Sequence, residues 1–85
     1  MFEYDQNKSR SNKEKHGLDF EEAQAIWQDL NRVEVETDYR LERRYMIIGT
    51  IDNKCWSAIV TYRGENTRII SVRRSRPNEV KLYGN

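Results

Sequence analysis

The chain is 85 residues long, which allows one domain over 1–85 and excludes two separate cores; a domain of this size buries only about 60–65% of the surface its unfolded form exposes. Charged residues make up 34% and mean hydropathy is −1.00, close to a disordered composition, yet nine aromatics and the apolar runs Met46–Ile48, Ala58–Val60 and Arg68–Ile70 require a folded core. The net charge of +1 excludes a uniformly basic nucleic-acid binder, and the single cysteine, Cys55, excludes an intramolecular disulfide and a cysteine metal knuckle.

Phe2 and Tyr4 flank Glu3, the alternation of a short strand with both aromatics on one face. Asp5 then caps a helix over roughly residues 6–16, with Gly17 as its C′ residue and Leu18 as the apolar contact beyond it. That helix has almost no apolar face, so caps and tertiary contacts must hold it. Asp19 and Glu22 form a capping-box pair for a second helix, whose core stripe is Phe20, Ala23, Trp27 and Leu30, with Ile26 beside it. From Val33 to Arg40 the period changes to two, giving a strand with Glu34, Glu36 and Asp38 on its wet face. Tyr45–Ile51, Cys55–Arg63 and Thr67–Arg73 are three further strands, joined by turns at Asp52–Lys54 and Gly64–Asn66. Pro77 begins a short closing helix near Asn78–Tyr83. The order is β-α-α-β-β-β-β-α, an α+β layer architecture with a hairpin-linked antiparallel sheet.

Charge is unevenly distributed. Residues 1–32 balance at −2, residues 33–62 at −1 and residues 63–85 at +4, where five arginines stand beside Lys81. The guanidinium fork fits phosphate oxygens bidentately, so arginine-rich basic charge beside hydroxyls points to anion binding. Strand parity predicts Ile69, Ser71 and Arg73 on one face and Arg68, Ile70 and Val72 on the other, with Thr61 and Arg63 sharing a face of the preceding strand. Arg74 and Arg76 extend the basic run. His16, the only histidine, is either a proton mover or a cation complementing a helix C-terminus, and Lys15 beside it has the same two readings, phosphate contact or helix-end charge. Glu79 is a general base or an ion-pair partner; Tyr83 lies on the same segment. No metal-ligand spacing, nucleophile motif or glycine-rich phosphate loop is present, so neither metal nor cofactor is expected. Met1–Asp5 lacks a signal-peptide h-region and no run reaches membrane-spanning length, so a cytoplasmic, reducing setting is expected.

Phe2-Glu3-Tyr4-Asp5, Lys8, Asn12, Lys15-His16-Gly17, Phe20-Glu21-Glu22-Ala23, Asp29, Ile48-Gly49, Thr61-Tyr62-Arg63, Arg68-Ile69-Ile70-Ser71-Val72-Arg73, Glu79 and Tyr83 together resemble, in order, the pattern of the BrnT toxin family. The set spans nearly the whole chain. The resemblance implies a RelE-like fold, two N-terminal helices packed on an antiparallel β-sheet with a short C-terminal helix. It implies a type II toxin that cleaves RNA, neutralised by a ribbon-helix-helix antitoxin of the BrnA type. Operator DNA would be met only through the toxin–antitoxin complex, which admits a toxin dimer; no membrane partner is implied.

The reaction expected is metal-independent attack of the RNA 2′-hydroxyl on the adjacent phosphate, in which the protein positions the strand and stabilises charge. Arg63 and Arg73 are the candidates for holding the phosphate, Ser71 and Thr61 for orienting it, and His16, Glu79 or Tyr83 for moving protons. Lys15, Arg74 and Arg76 are backbone contacts, and Arg68 is structural or faces the antitoxin. The rival from another class is a non-catalytic binding module using the same basic face on nucleic acid or an acidic protein.

Overall fold

Two tight turns set the register of the central meander. Asp52 and Asn53 both take positive φ, 51° and 65°, the backbone of a two-residue turn whose twist matches the strands it joins. Gly64 takes φ 58° at the next turn, where a side chain would be strained. The strands so joined are β3 (Tyr45–Ile51), β4 (Lys54–Arg63) and β5 (Asn66–Arg74), all antiparallel. The computed structural model, which describes residues 1–84, adds β2 (Val33–Glu36) beside β3 and β1 (Phe2–Glu3) beside β5. The sheet order is β1-β5-β4-β3-β2.

The expected antiparallel sheet is thereby corrected to a mixed one. β1 runs parallel to β5, with Phe2 opposite Thr67 and Glu3 opposite Arg68. Thr67 donates its N–H to the Met1 carbonyl at 2.8 Å, and Arg68 pairs with the Glu3 carboxylate at 3.0 Å. β2 is also shorter than its alternation suggests. After Glu36 the Thr37 N–H and hydroxyl both donate to the Arg44 carbonyl, and the chain turns away from the ladder.

Helix α1 (Gln6–His16) has the caps its sequence predicts. The Asp5 carboxylate accepts from the Asn7 and Lys8 N–H groups, and Gly17 closes the end at φ 91°. Its buried face is polar. Ser9 Oγ accepts the Phe20 N–H at 2.8 Å, and Asn12 exchanges hydrogen bonds with the N–H and C=O of Val72. Asn12 thus pairs the outer edge of β5 where the two-residue β1 no longer covers it.

The second N-terminal helix is a 3-10 helix, Glu22–Gln28, so the RelE-like arrangement of two N-terminal helices on an antiparallel sheet is not what the chain builds. The Asp19–Glu22 capping box forms reciprocally, but Phe20, Ala23 and Ile26 recur every three residues. That spacing matches three residues per turn, with Phe20 in the turn just before the helix and Ala23 and Ile26 within it; all three are buried, whereas Leu30 is 93% exposed. Ile26 packs directly on the β3 backbone: a Cβ at Gly49 would lie 2.9 Å from its Cγ2. The core is completed by Ile47, Trp56, Ala58, Val60, Ile69 and Val72; each large aliphatic or aromatic side chain buried there contributes roughly 1.5–3 kcal/mol.

Ile69 and Val72 are three residues apart, yet both enter this core, because a β-bulge interrupts the regular alternation. Ile59 pairs with Ser71 and Val60 with Ile69, leaving Ile70 unpaired against β4. Ser71 and Arg73 remain together on the sheet face opposite the core, across from Ile59 and Ser57.

Candidate active site

The last helix, α2 (Pro77–Gly84), begins with proline, whose missing N–H costs nothing in a first turn. Glu79 sits in that turn and points inward, only 4% exposed. Its Oε1 accepts the Arg76 N–H at 2.9 Å, the Ser57 hydroxyl at 2.9 Å and Arg73 Nη1 at 2.8 Å; its Oε2 accepts Arg73 Nη2 at 2.7 Å. Ser57 also shares a hydrogen bond with Ser75 at 2.8 Å. The bidentate fork aims the Arg73 guanidinium, which keeps 23% exposure and remains reachable from solvent. Hydrogen bonding from Arg73 is the main cause holding the Glu79 carboxyl down to about 2, well below its usual range; the same bond raises the Arg73 pKa.

The other end of α2 is fastened separately. Tyr83 donates its hydroxyl to Asp29 Oδ2 at 2.6 Å, and that oxygen also accepts the Thr50 N–H at 2.9 Å and Thr50 Oγ1 at 3.0 Å. The Tyr83 hydrogen bond leads the causes that lower the Asp29 carboxyl to about 2, and it raises the pKa of the phenol in return. Asp29 stands where β2 has not yet begun, so its carboxylate replaces a strand partner for Thr50.

The structure therefore brings Arg73, Glu79 and Ser71 together on the sheet face opposite the core, beside α2. Lys15 and His16 are exposed at the end of α1, and both line a groove of about 210 Å³ that Ser71 also lines. Arg74 is exposed, its guanidinium 5.5 Å from the Trp56 ring, and Arg76 is exposed at the approach to α2. Two candidates lie elsewhere. Thr61 is buried, its hydroxyl donated to the Arg43 carbonyl at 2.8 Å. Arg63 is exposed beside the β4–β5 turn, six residues along β4 from the Ser57 position that pairs with Arg73, about 20 Å at the rise of a strand. One phosphate cannot touch both arginines. Ser57 was not singled out from sequence; its only signal is a serine inside the buried run Trp56–Ala58. Among the described residues no three His, Cys, Asp or Glu side chains converge as a cation site, and no helix is long and apolar enough to cross a membrane.

A family model described as the ribonuclease toxin BrnT of a type II toxin–antitoxin system matches residues 4–79. The chain belongs to the BrnT family. It is a ribonuclease toxin, and the type II system gives it a protein antitoxin as partner. The matched segment begins at Tyr4, just after β1, runs through the Arg73–Glu79 pair and stops before Tyr83. A search of curated proteins finds no match.

Proposed function

We propose that this BrnT toxin is a metal-independent endoribonuclease that cuts RNA by internal transesterification. The 2′-oxygen bonds to the adjacent phosphorus, the bond from phosphorus to the 5′-oxygen breaks, and the ends are a cyclic phosphate and a 5′-hydroxyl. The substrate supplies its own nucleophile, so the protein contributes positioning, proton transfer and charge stabilisation. The observation that carries this reading is the fork between Arg73 and the buried Glu79 on the same face as Ser71. A guanidinium aimed by a carboxylate presents preorganised positive charge to a phosphorane as its negative charge develops.

Glu79 has donors on both oxygens and stays ionised, which suits it to position Arg73 rather than to take a proton. The Tyr83 proton is engaged by Asp29. His16, at the groove lined by Ser71, is the residue we assign to proton transfer. Arg63, about 20 Å away, meets the strand at a separate phosphate, and Lys15, Arg74 and Arg76 hold its backbone. The antitoxin is a ribbon-helix-helix protein of the BrnA type, through which alone the complex, with or without a toxin dimer, meets operator DNA in the cytoplasm.

Purified toxin incubated with total RNA in excess chelator tests the chemistry. Internal cuts ending in cyclic phosphate are expected, blocked where the ribose 5′ to the cut lacks its 2′-hydroxyl. Dependence on added metal, or cleavage of the 2′-deoxy site, rules the mechanism out.

A further inference from the structure

Helix α1 lacks the usual reason for a helix to exist in a small domain. It has no apolar stripe, and its buried residues are the polar Ser9 and Asn12, both spent on backbone groups of neighbouring segments. These bonds fix the helix rotationally while burying little apolar surface. What the fixed helix displays is charge: four Lys or Arg against Glu14, a balance of +3 over 11 residues. Lys13 is used in an ion pair with Glu22 at 2.8 Å. Lys8 and Lys15 have no salt-bridge partner among the described residues and both line the groove against β5. They lie seven residues apart, two turns and about 10.5 Å along the axis, with Ser11 between them.

The opposite wall is made by the bulge. Ile70 and Ser71 are consecutive, yet both line the groove, which regular alternation would forbid. The lining holds ammonium, imidazole and hydroxyl donors and no carboxylate. Ser71 is shared between this groove and the face that carries Arg73, two residues on.

Resting on the ribonuclease reading above, we propose that the α1–β5 groove is a second phosphate-binding subsite. In it Lys8, Ser11 and Lys15 hold the RNA backbone flanking the phosphate at Arg73. The strand leaves the reacting phosphate across the edge of β5 toward α1. Paired donors spaced along a fixed helix suit successive phosphates, which position a strand without reading its sequence. A protein docking site would need an apolar centre, which this groove lacks apart from Ile70 and Phe20.

The test is equilibrium binding of a single-stranded 2′-O-methyl RNA, which the proposed chemistry cannot cut, by the wild type and Lys8→Gln/Lys15→Gln. Arg40→Gln/Lys54→Gln removes the same charge from exposed positions elsewhere. Losing two contacts to single-stranded backbone makes the slope of log affinity against log salt shallower by about 1.4. Between 50 and 200 mM salt the groove variant therefore loses about sevenfold less affinity than the wild type, while the control keeps the wild-type slope. Thermal melts verify that both variants fold, as their replaced side chains are exposed. A wild-type slope in the groove variant, with wild-type protein still binding and cutting RNA, overturns the subsite and leaves the ribonuclease reading intact. Loss of antitoxin binding with RNA binding unchanged overturns it in favour of a protein interface. A wild type that neither binds nor cuts RNA overturns both.

Discussion

Glu79 shows how a single side chain can serve the fold and the site together. Its carboxylate is buried and held down to about 2 by the Arg73 fork, so its contribution is present above the ordinary carboxylate range and lost as pH falls toward 2. At neutral pH that contribution is on the order of 3 kcal/mol. Asp29 is depressed for an analogous reason, with Tyr83 leading the causes, and adds to the same acid window. Acid melts should therefore show stability falling between about pH 4.5 and pH 2, and Glu79→Gln should flatten that dependence; an equally steep fall in the variant would mean that other groups govern it. The burial also governs how Arg73 can be tested. Arg73→Ala leaves a buried carboxylate unpaired, which typically costs about 3–5 kcal/mol, so lost activity alone would not distinguish chemistry from unfolding.

At the scale of elements, what was legible in the sequence is what is locally determined. The caps of α1 at Asp5 and Gly17 and the Asp19–Glu22 box depend on a few adjacent residues and form as read; both β-turns fall where they were read but are one residue shorter, Lys54 and Asn66 already belonging to β4 and β5. The misread features are set at long range. β1 is two residues long and pairs with Thr67 and Arg68, some 65 positions away, so nothing near Phe2 specifies a parallel partner. Phe20, Ala23 and Ile26 satisfy helical periods of 3.0 and 3.6 alike over so short a run; contact with Gly49 decides between them. The bulge at Ile70 is a register slip with no local signature, and it reassigned Ile69 from the face of Arg73 to the core. Of the candidate site, the arginine-rich strand with Ser71 and the placing of Arg63 and Arg73 at opposite ends of the hairpin were legible, but the bidentate geometry of the Glu79 fork and the part of Ser57 in it required the register. Two substitutions test these packings. Gly49→Ala forces Ile26 off the strand and should lower stability by about 1–3 kcal/mol in denaturant titrations, whereas a neutral result would mean the 3-10 helix can retreat freely. Asn12→Ala leaves the buried N–H and C=O of Val72 unpaired and should cost about 1–3 kcal/mol, with hydrogen exchange rising first at Val72.

Over the whole molecule, a net charge of +1 conceals a basic end and a basic helix held against the same strand. α1 reaches β5 through Asn12, and α2 reaches it through Glu79 and Arg73, so β5 joins both cationic elements. The toxin needs no large core for this, since its stabilising contacts are also its placement of charge. The most direct test of that arrangement is the cleavage rate of a fixed RNA by Arg73→Lys and by Arg73→Ala/Glu79→Gln, each checked by melting temperature. The double variant removes the buried charge along with its partner, so folding is retained. Both should be slower by roughly 100–1,000-fold, Arg73→Lys despite keeping its charge, because an ammonium lacks the planar fork that Glu79 orients. Wild-type rates in either folded variant would contradict the assignment of Arg73 to the reacting phosphate.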